Sequence, residues 1–190
     1  MPLQFPAAPA GAFEALKKGL HSLSDARRTT PSGAEVLALP TAPQAMKPIP
    51  VHLLGLDRLT AGEGPDAAAL TSWRYFLVAD GQVSQAATVV GDGTSGYRFT
   101  ALTTGFIAGV EAALSRAATV TGGEAYELRL LNVPALNLMA LWLKSLGGGE
   151  DRFLVLEPAP SFVDAGRTYS AGELLPLLRQ RTDRLREPPS

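Results

Sequence analysis

Two side chains of this 190-residue chain can change charge near neutral pH, His21 and His52. His52 is the better placed for chemistry. It stands in an apolar run, Val51-His-Leu-Leu-Gly-Leu56, with Asp57 and Arg58 following. A histidine oriented by a carboxylate is what a general base requires. On a strand, alternation puts His52 and Leu54 on one face and Val51 and Leu53 on the other. His52 and Asp57 are therefore the catalytic candidates, base and orienting group of a small hydrolase. Against that reading, no Ser sits in a G-x-S-x-G elbow to be activated. A strand histidine that is merely exposed or hydrogen-bonded accounts for the same residues. His21 falls off the apolar stripe of a predicted helix and reads as surface.

Gly91-Asp-Gly-Thr-Ser-Gly96 matches G-x-G-x-x-G, the dinucleotide fingerprint. Asp92 places a negative charge where a pyrophosphate would approach. Residues 97–100 look like strand where the fingerprint needs a helix. The next strand ends in Leu131-Asn132-Val133, without the acidic residue that would hold a ribose. A hairpin loop is the better reading, since Gly-Asp-Gly is ordinary turn chemistry.

Glu124 with Glu127, and Glu150 with Asp151, are near neighbours but not a pair held across a cleft. Arg179, Arg181, Arg184 and Arg186 form a basic cluster that Asp183 and Glu187 dilute, as on a solvated helix end. Trp73, Tyr75, Tyr97, Tyr126 and Trp142 are spread over predicted strands. They lack the basic neighbours of a base-stacking sheet, so core packing is their default. Arg74, Trp73, Tyr75 and Trp142 are the candidates for ligand binding, should a pocket form between sheet and helices.

Composition narrows the classes. With 17 Lys+Arg against 18 Asp+Glu, the net charge is −1, which argues against nucleic-acid binding by phosphate neutralisation. Two His and no Cys supply too few ligands for a transition-metal site and rule out disulfides. No metal and no cofactor is expected. No stretch reaches the roughly 18 apolar residues of a membrane span. Lys17 and Lys18 follow the first apolar residues instead of preceding them, unlike a secretory signal, so the expected location is cytoplasmic. The excess of Arg over Lys fits a GC-rich bacterial genome. Apolar residues make up 46% of the chain. Folding a chain this long buries roughly 70% of its surface, enough for a core without staples.

The elements that must position these residues follow from periodicity. Phe13, Leu16, Leu20 and Leu23 mark a short amphipathic helix over 11–23. Pro40, Pro43, Pro48 and Pro50 make 40–50 an extended connector, after a short candidate strand at 35–39. Residues 73–79 and 82–90 are strands joined by Asp80-Gly81, a type I′ hairpin signal. That register sets Val78 opposite Val83, Phe76 opposite Gln85 and Tyr75 opposite Ala86. A third strand covers 97–102. Phe106, Ile107, Val110, Ala113, Leu114 and Ala117 predict a helix from about 103 to 119, capped by Thr103 or Thr104. Residues 124–133 alternate as a strand. The segment 134–146 is apolar nearly all round and reads as a buried or interfacial helix, with a strand as the competing assignment. A strand at 153–156 follows. Ser170 and Glu173 have capping-box spacing, but Pro176 argues for a helix start nearer Glu173.

The fold class is α+β: an antiparallel sheet with a meander at about 73–102 and strands near 124–133 and 152–157, packed by two or more helices. The organisation expected is an N-terminal helix and Pro-rich arm (1–50), one α+β domain (51–178) and a polar tail (179–190). The leading functional expectation is non-catalytic self-association or binding of a protein partner, because the apolar segment 135–146 and the N-terminal helix offer more apolar surface than a small sheet needs. The alternatives are a small-molecule or lipid binder using His52 and Arg74, and the hydrolase built on His52 and Asp57.

Overall fold

A computed structural model describes residues 3–29, 44–45, 48–79, 81–91, 93 and 96–186. The chain runs β1 (Leu3–Gln4), α1 (Ala10–Thr29), β2 (Gln44–Ala45), β3 (Ile49–Leu53), α2 (Leu56–Thr60), β4 (Ala69–Ala79), β5 (Gln82–Gly91), β6 (Tyr97–Thr103), α3 (Ile107–Val120), β7 (Tyr126–Val133), β8 (Leu138–Ser145), β9 (Arg152–Val155), β10 (Thr168–Ser170) and α4 (Ala171–Arg186). The strands form one sheet in the order β10-β9-β8-β7-β3-β4-β5-β6, with β1 added to β7 and β2 to β4. All pairings are antiparallel except β3 and β1 on β7. This is the α+β fold expected from the order of elements.

Both faces of the sheet are covered. α3 lies on one, packing Val110, Ala113 and Ala117 against Ile49, Val51, Phe76, Leu128, Leu130 and Leu141. The register puts α1 and α4 together on the other. Pro50 and His52 point to the same side of β3. Pro50 is opposite Trp73, which packs under α1, and His52 meets Trp142, which packs under α4. α1 thus covers β4–β6, and α4 with α2 covers β7–β10.

Several sequence expectations change here. Segment 134–146 is a strand, β8, entered through one 3-10 turn at Pro134–Leu136 and Asn137 at φ 49. Its all-round apolarity has a simple cause. Met139, Leu141 and Leu143 face the α3 core while Leu138, Ala140 and Trp142 face the α4 core, so a central strand needs no polar side. The 73–90 hairpin keeps Val78 opposite Val83, and Gly81 takes φ +78 as its turn requires; Asp80 lies outside the described residues. A bulge between Leu77 and Val78 then shifts the ladder by one. Phe76 meets Ala86 and Tyr75 meets Ala87, while the Ser84 hydroxyl donates to the Leu77 carbonyl.

The third helix starts at Ile107, because Thr103 ends β6 and Phe106 reverses the chain at φ 61 with no side-chain cap. The capping box forms despite Pro176: the Ser170 N–H donates to Glu173 Oε2 at 2.9 Å and the Glu173 N–H to Ser170 Oγ at 3.2 Å. α4 then continues to Arg186, so residues 179–186 are its last turns, with Thr182 buried. α1 extends to Thr29 and docks on the sheet through Ala12, Ala15 and Leu16. Pro50 lies within β3; the ladder to β7 begins only at Val51. The expected strand at 35–39, and Asp92, Thr94 and Ser95 of the glycine-rich loop, lie outside the described residues.

Candidate functional site

The sheet face between α1 and α4 carries His52. β3 places it beside β7, next to Leu131, with its ring edge-on to Trp142 at 5.4 Å. Its Nδ1 is 3.4 Å from the Ala68 carbonyl. Burial holds its pKa below the ordinary value, and the contact with Ala68 offsets that only in part. The Asp57 carboxylate, in α2, is 81% exposed and its charged neighbour is Arg58, not His52. The orienting carboxylate that a His52 base needs is therefore not the one suggested by sequence spacing.

The residues around His52 form a closed polar network. Trp142 is fully buried, stacked on Phe153, with the Arg129 guanidinium 4.9 Å above its ring. Its indole N–H donates to Asp151 Oδ2 at 2.9 Å. Asp151 also accepts from the Ser145 N–H and from Lys144 Nζ, and Lys144 reaches on to Asp66 at 2.7 Å. Those two carboxylates hold the Lys144 pKa above its usual range. Arg129 bridges to Glu127 at 2.7 Å. Cross-strand register builds this cluster: Arg129 is opposite Trp142, and Glu127 opposite Lys144. Every charge in it has a partner.

Arg74 lies apart from His52, on the α3 face of β4. Its Nη1 donates to the Met139 sulfur at 3.1 Å, and its buried Nε has no hydrogen-bond partner. Trp73 and Tyr75 alternate to the opposite face, under α1. The four binding candidates thus divide among three environments. Among the described residues no three His, Asp or Glu side chains group as a metal site, and no helix is long and apolar enough to cross a membrane. The carboxylates at 124 and 127 serve Tyr126 and Arg129 respectively. Arg179 of the basic cluster donates to the Gly62 and Glu63 carbonyls, tying α4 to the loop after α2.

A cleft of about 770 Å³ opens at the start of α3 between residues 104–107 and 157–165. Its charged lining is Glu157 and Asp164, and the Asp164 carboxylate already accepts from the Gly166 N–H. A second groove, of about 460 Å³, runs between α1 and β6. Lys18, Gly19, Ser22 and Leu23 form its helical wall, and Tyr97, Arg98 and Phe99 its strand wall. β6 is the last strand of the sheet and, among the described residues, pairs only with β5. The carboxylates of α1 are engaged elsewhere: Glu14 pairs with Lys17 and Asp25 with His21. Neither Lys18 nor Arg98 has an ion-pair partner among the described residues, and both are exposed. Gly19 lets the helix close on the strand; a Cβ there would fall 2.4 Å from Phe99 Cβ.

Sequence reasoning passed over this groove. In the sequence Lys18 is one charge after the first apolar residues, and Arg98 one residue of a strand. That β6 is an edge beside α1 depends on the order of strands, which periodicity does not report. Compared with protein families, with curated proteins and with solved structures, the chain matches none.

Proposed function

We propose that this chain is a non-catalytic protein that binds a partner in the groove between α1 and β6. One observation carries the reading: a concave, mostly apolar surface of about 460 Å³ lies between α1 and β6, the last strand of the sheet, beside an exposed Lys18 that has no ion-pair partner among the described residues. A protein interior pairs its polar groups, as the network around Trp142 does, and that network is accounted for by structure alone. The hydrolase reading lacks support of this kind, since His52 meets a backbone carbonyl and an indole in place of a carboxylate and a nucleophile. Self-association loses its original motive, because the apolar segment 135–146 is buried within the chain as β8.

Native mass spectrometry of the protein purified from its own host tests this. Ser22→Trp fills the groove from its exposed wall, and Ala118→Trp alters exposed surface on α3 as a control. The partner mass is expected with the wild-type chain and Ala118→Trp, and is lost with Ser22→Trp. Equal complex formation in all three overturns the proposal, as does a bare wild-type monomer.

A further inference from the structure

We infer that the occupant of the α1–β6 groove is a long-chain monocarboxylic acid, with its acyl chain along the groove and its carboxylate on Lys18; this rests on the reading of the groove as the partner site. The helical wall repeats as Ala15, then Lys18 with Gly19, then Ser22 with Leu23. That spacing follows the helical period, so the wall runs about 12 Å along α1. Alternation turns Tyr97 and Phe99 toward it, and both pack on the cluster under α1. Together they bound a mostly apolar channel of about 460 Å³, a volume within the range of small-molecule sites. A methylene takes about as much room as a water molecule, roughly 30 Å³, so the channel holds a chain of about 12 to 15 carbons. A partner helix is too large for it, since 10 Å of helix about 10 Å across fills roughly 800 Å³.

Charge fixes one end of the ligand. Lys18 is exposed and lines the channel, while its neighbour Lys17 is turned to Glu14. Ser22, one turn on, donates its hydroxyl proton to the Lys18 carbonyl, and among the described residues no carboxylate lines the channel. Arg98 takes no part, because it alternates to the face of β6 opposite Tyr97 and Phe99. A lysine lays its stem on apolar surface and keeps its ammonium in water. One such cation beside an apolar channel suits a molecule with a single negative end and an apolar body. A polar metabolite or a dianionic phosphate would lie against walls that offer it no hydrogen bonds.

Isothermal titration calorimetry of the full chain with dodecanoate, below its micellar concentration, tests the inference; Lys18 and Ser22 are exposed, so variants there keep the fold. The wild type is expected to bind dodecanoate, and to bind octanoate at least tenfold more weakly because four methylenes leave the channel. Lys18→Glu is expected to weaken dodecanoate at least threefold and to bind the cation dodecyltrimethylammonium better than the wild type does. Ser22→Trp, which fills the channel, is expected to abolish binding of both. Failure to bind dodecanoate, equal wild-type affinity for the two head groups, or binding that survives Ser22→Trp overturns the inference. If the acid fails while the native partner is still lost with Ser22→Trp, the groove stands as the docking site of a different occupant; if that partner persists as well, both readings fall.

Discussion

The middle of the sheet and its β6 edge hold similar side chains in opposite circumstances. Around Trp142, cations and carboxylates stand opposite one another on neighbouring strands. Lys144 has two acidic partners, Arg129 has one, and the indole N–H has Asp151. At the edge, Lys18 and Arg98 have none among the described residues. The central network lies in partly desolvated surroundings, where an unpaired polar group is costly, so the fold had to supply every partner. The edge is solvated and tolerates unpaired charge. Titratable residues drew attention to the centre, yet completeness of pairing there marks a structural role.

The comparison is broken most directly at Asp151. Its side chain is 10% exposed and accepts from Trp142, Lys144 and the Ser145 backbone. Asp151→Ala leaves a buried indole N–H and a backbone N–H without acceptors. The expected loss is about 3 kcal/mol, or roughly 6–12 °C in Tm by thermal unfolding. A loss below about 1 kcal/mol would show that the central network is not structural and would reopen it as a site.

Gly19→Ala comes next. Ala gains about 1 kcal/mol over Gly in a helix interior. Against that, the new Cβ would sit 2.2 Å from Phe99 Cγ and 2.4 Å from Phe99 Cβ, atoms fixed close to the strand backbone. Overpacking costs about 1–3 kcal/mol, so the net expectation is destabilisation by about 1 kcal/mol in denaturant unfolding. A stabilised variant would mean that α1 does not close on β6 as described.

These two sites show what the sequence makes legible. The helices at 11–23 and 103–119, the hairpin at 73–90 and the strand at 124–133 follow from local periodicity and turn residues, and they fix the fold class. Segment 134–146 does not, because a strand buried on both faces has no polar side and so no period. The bulge at Leu77 and Val78 and the exact start of α3 escape for a related reason, since tertiary packing sets them. Of the candidate residues, His52 and Trp142 come together because β3 inserts beside β7, a pairing of segments far apart in sequence. The groove is harder still. Nothing local in Lys18 or Arg98 says that one lies on a helix alongside the edge strand that holds the other.

His52 gives a smaller effect with a definite sign. Its pKa is held below the ordinary 6.5 by burial in the folded chain. Between those values the unfolded chain binds a proton that the folded chain refuses, so its contribution is complete above about pH 6.5 and is lost as pH falls through the folded value. His52→Gln is therefore expected to show a shallower fall in Tm from pH 7 to pH 5 than the wild type. Parallel curves would mean that His52 titrates normally and is not packed on Trp142 as the geometry shows.

The smallest expected effect concerns the edge cations themselves. Lys18 and Arg98 are exposed and have no ion-pair partner among the described residues for truncation to remove. Exposed substitutions of this kind stay within about 0.5 kcal/mol. Lys18→Ala/Arg98→Ala should match the wild type in denaturant midpoint and slope, while Lys144→Ala, which strips a cation of two partners, should not. Equal, substantial losses in both would show that the edge cations support the fold and would dissolve the contrast between the two regions. A neutral result at the edge keeps the contrast between the two regions, because a solvated cation loses no partner when it is truncated, whereas Lys144 loses two.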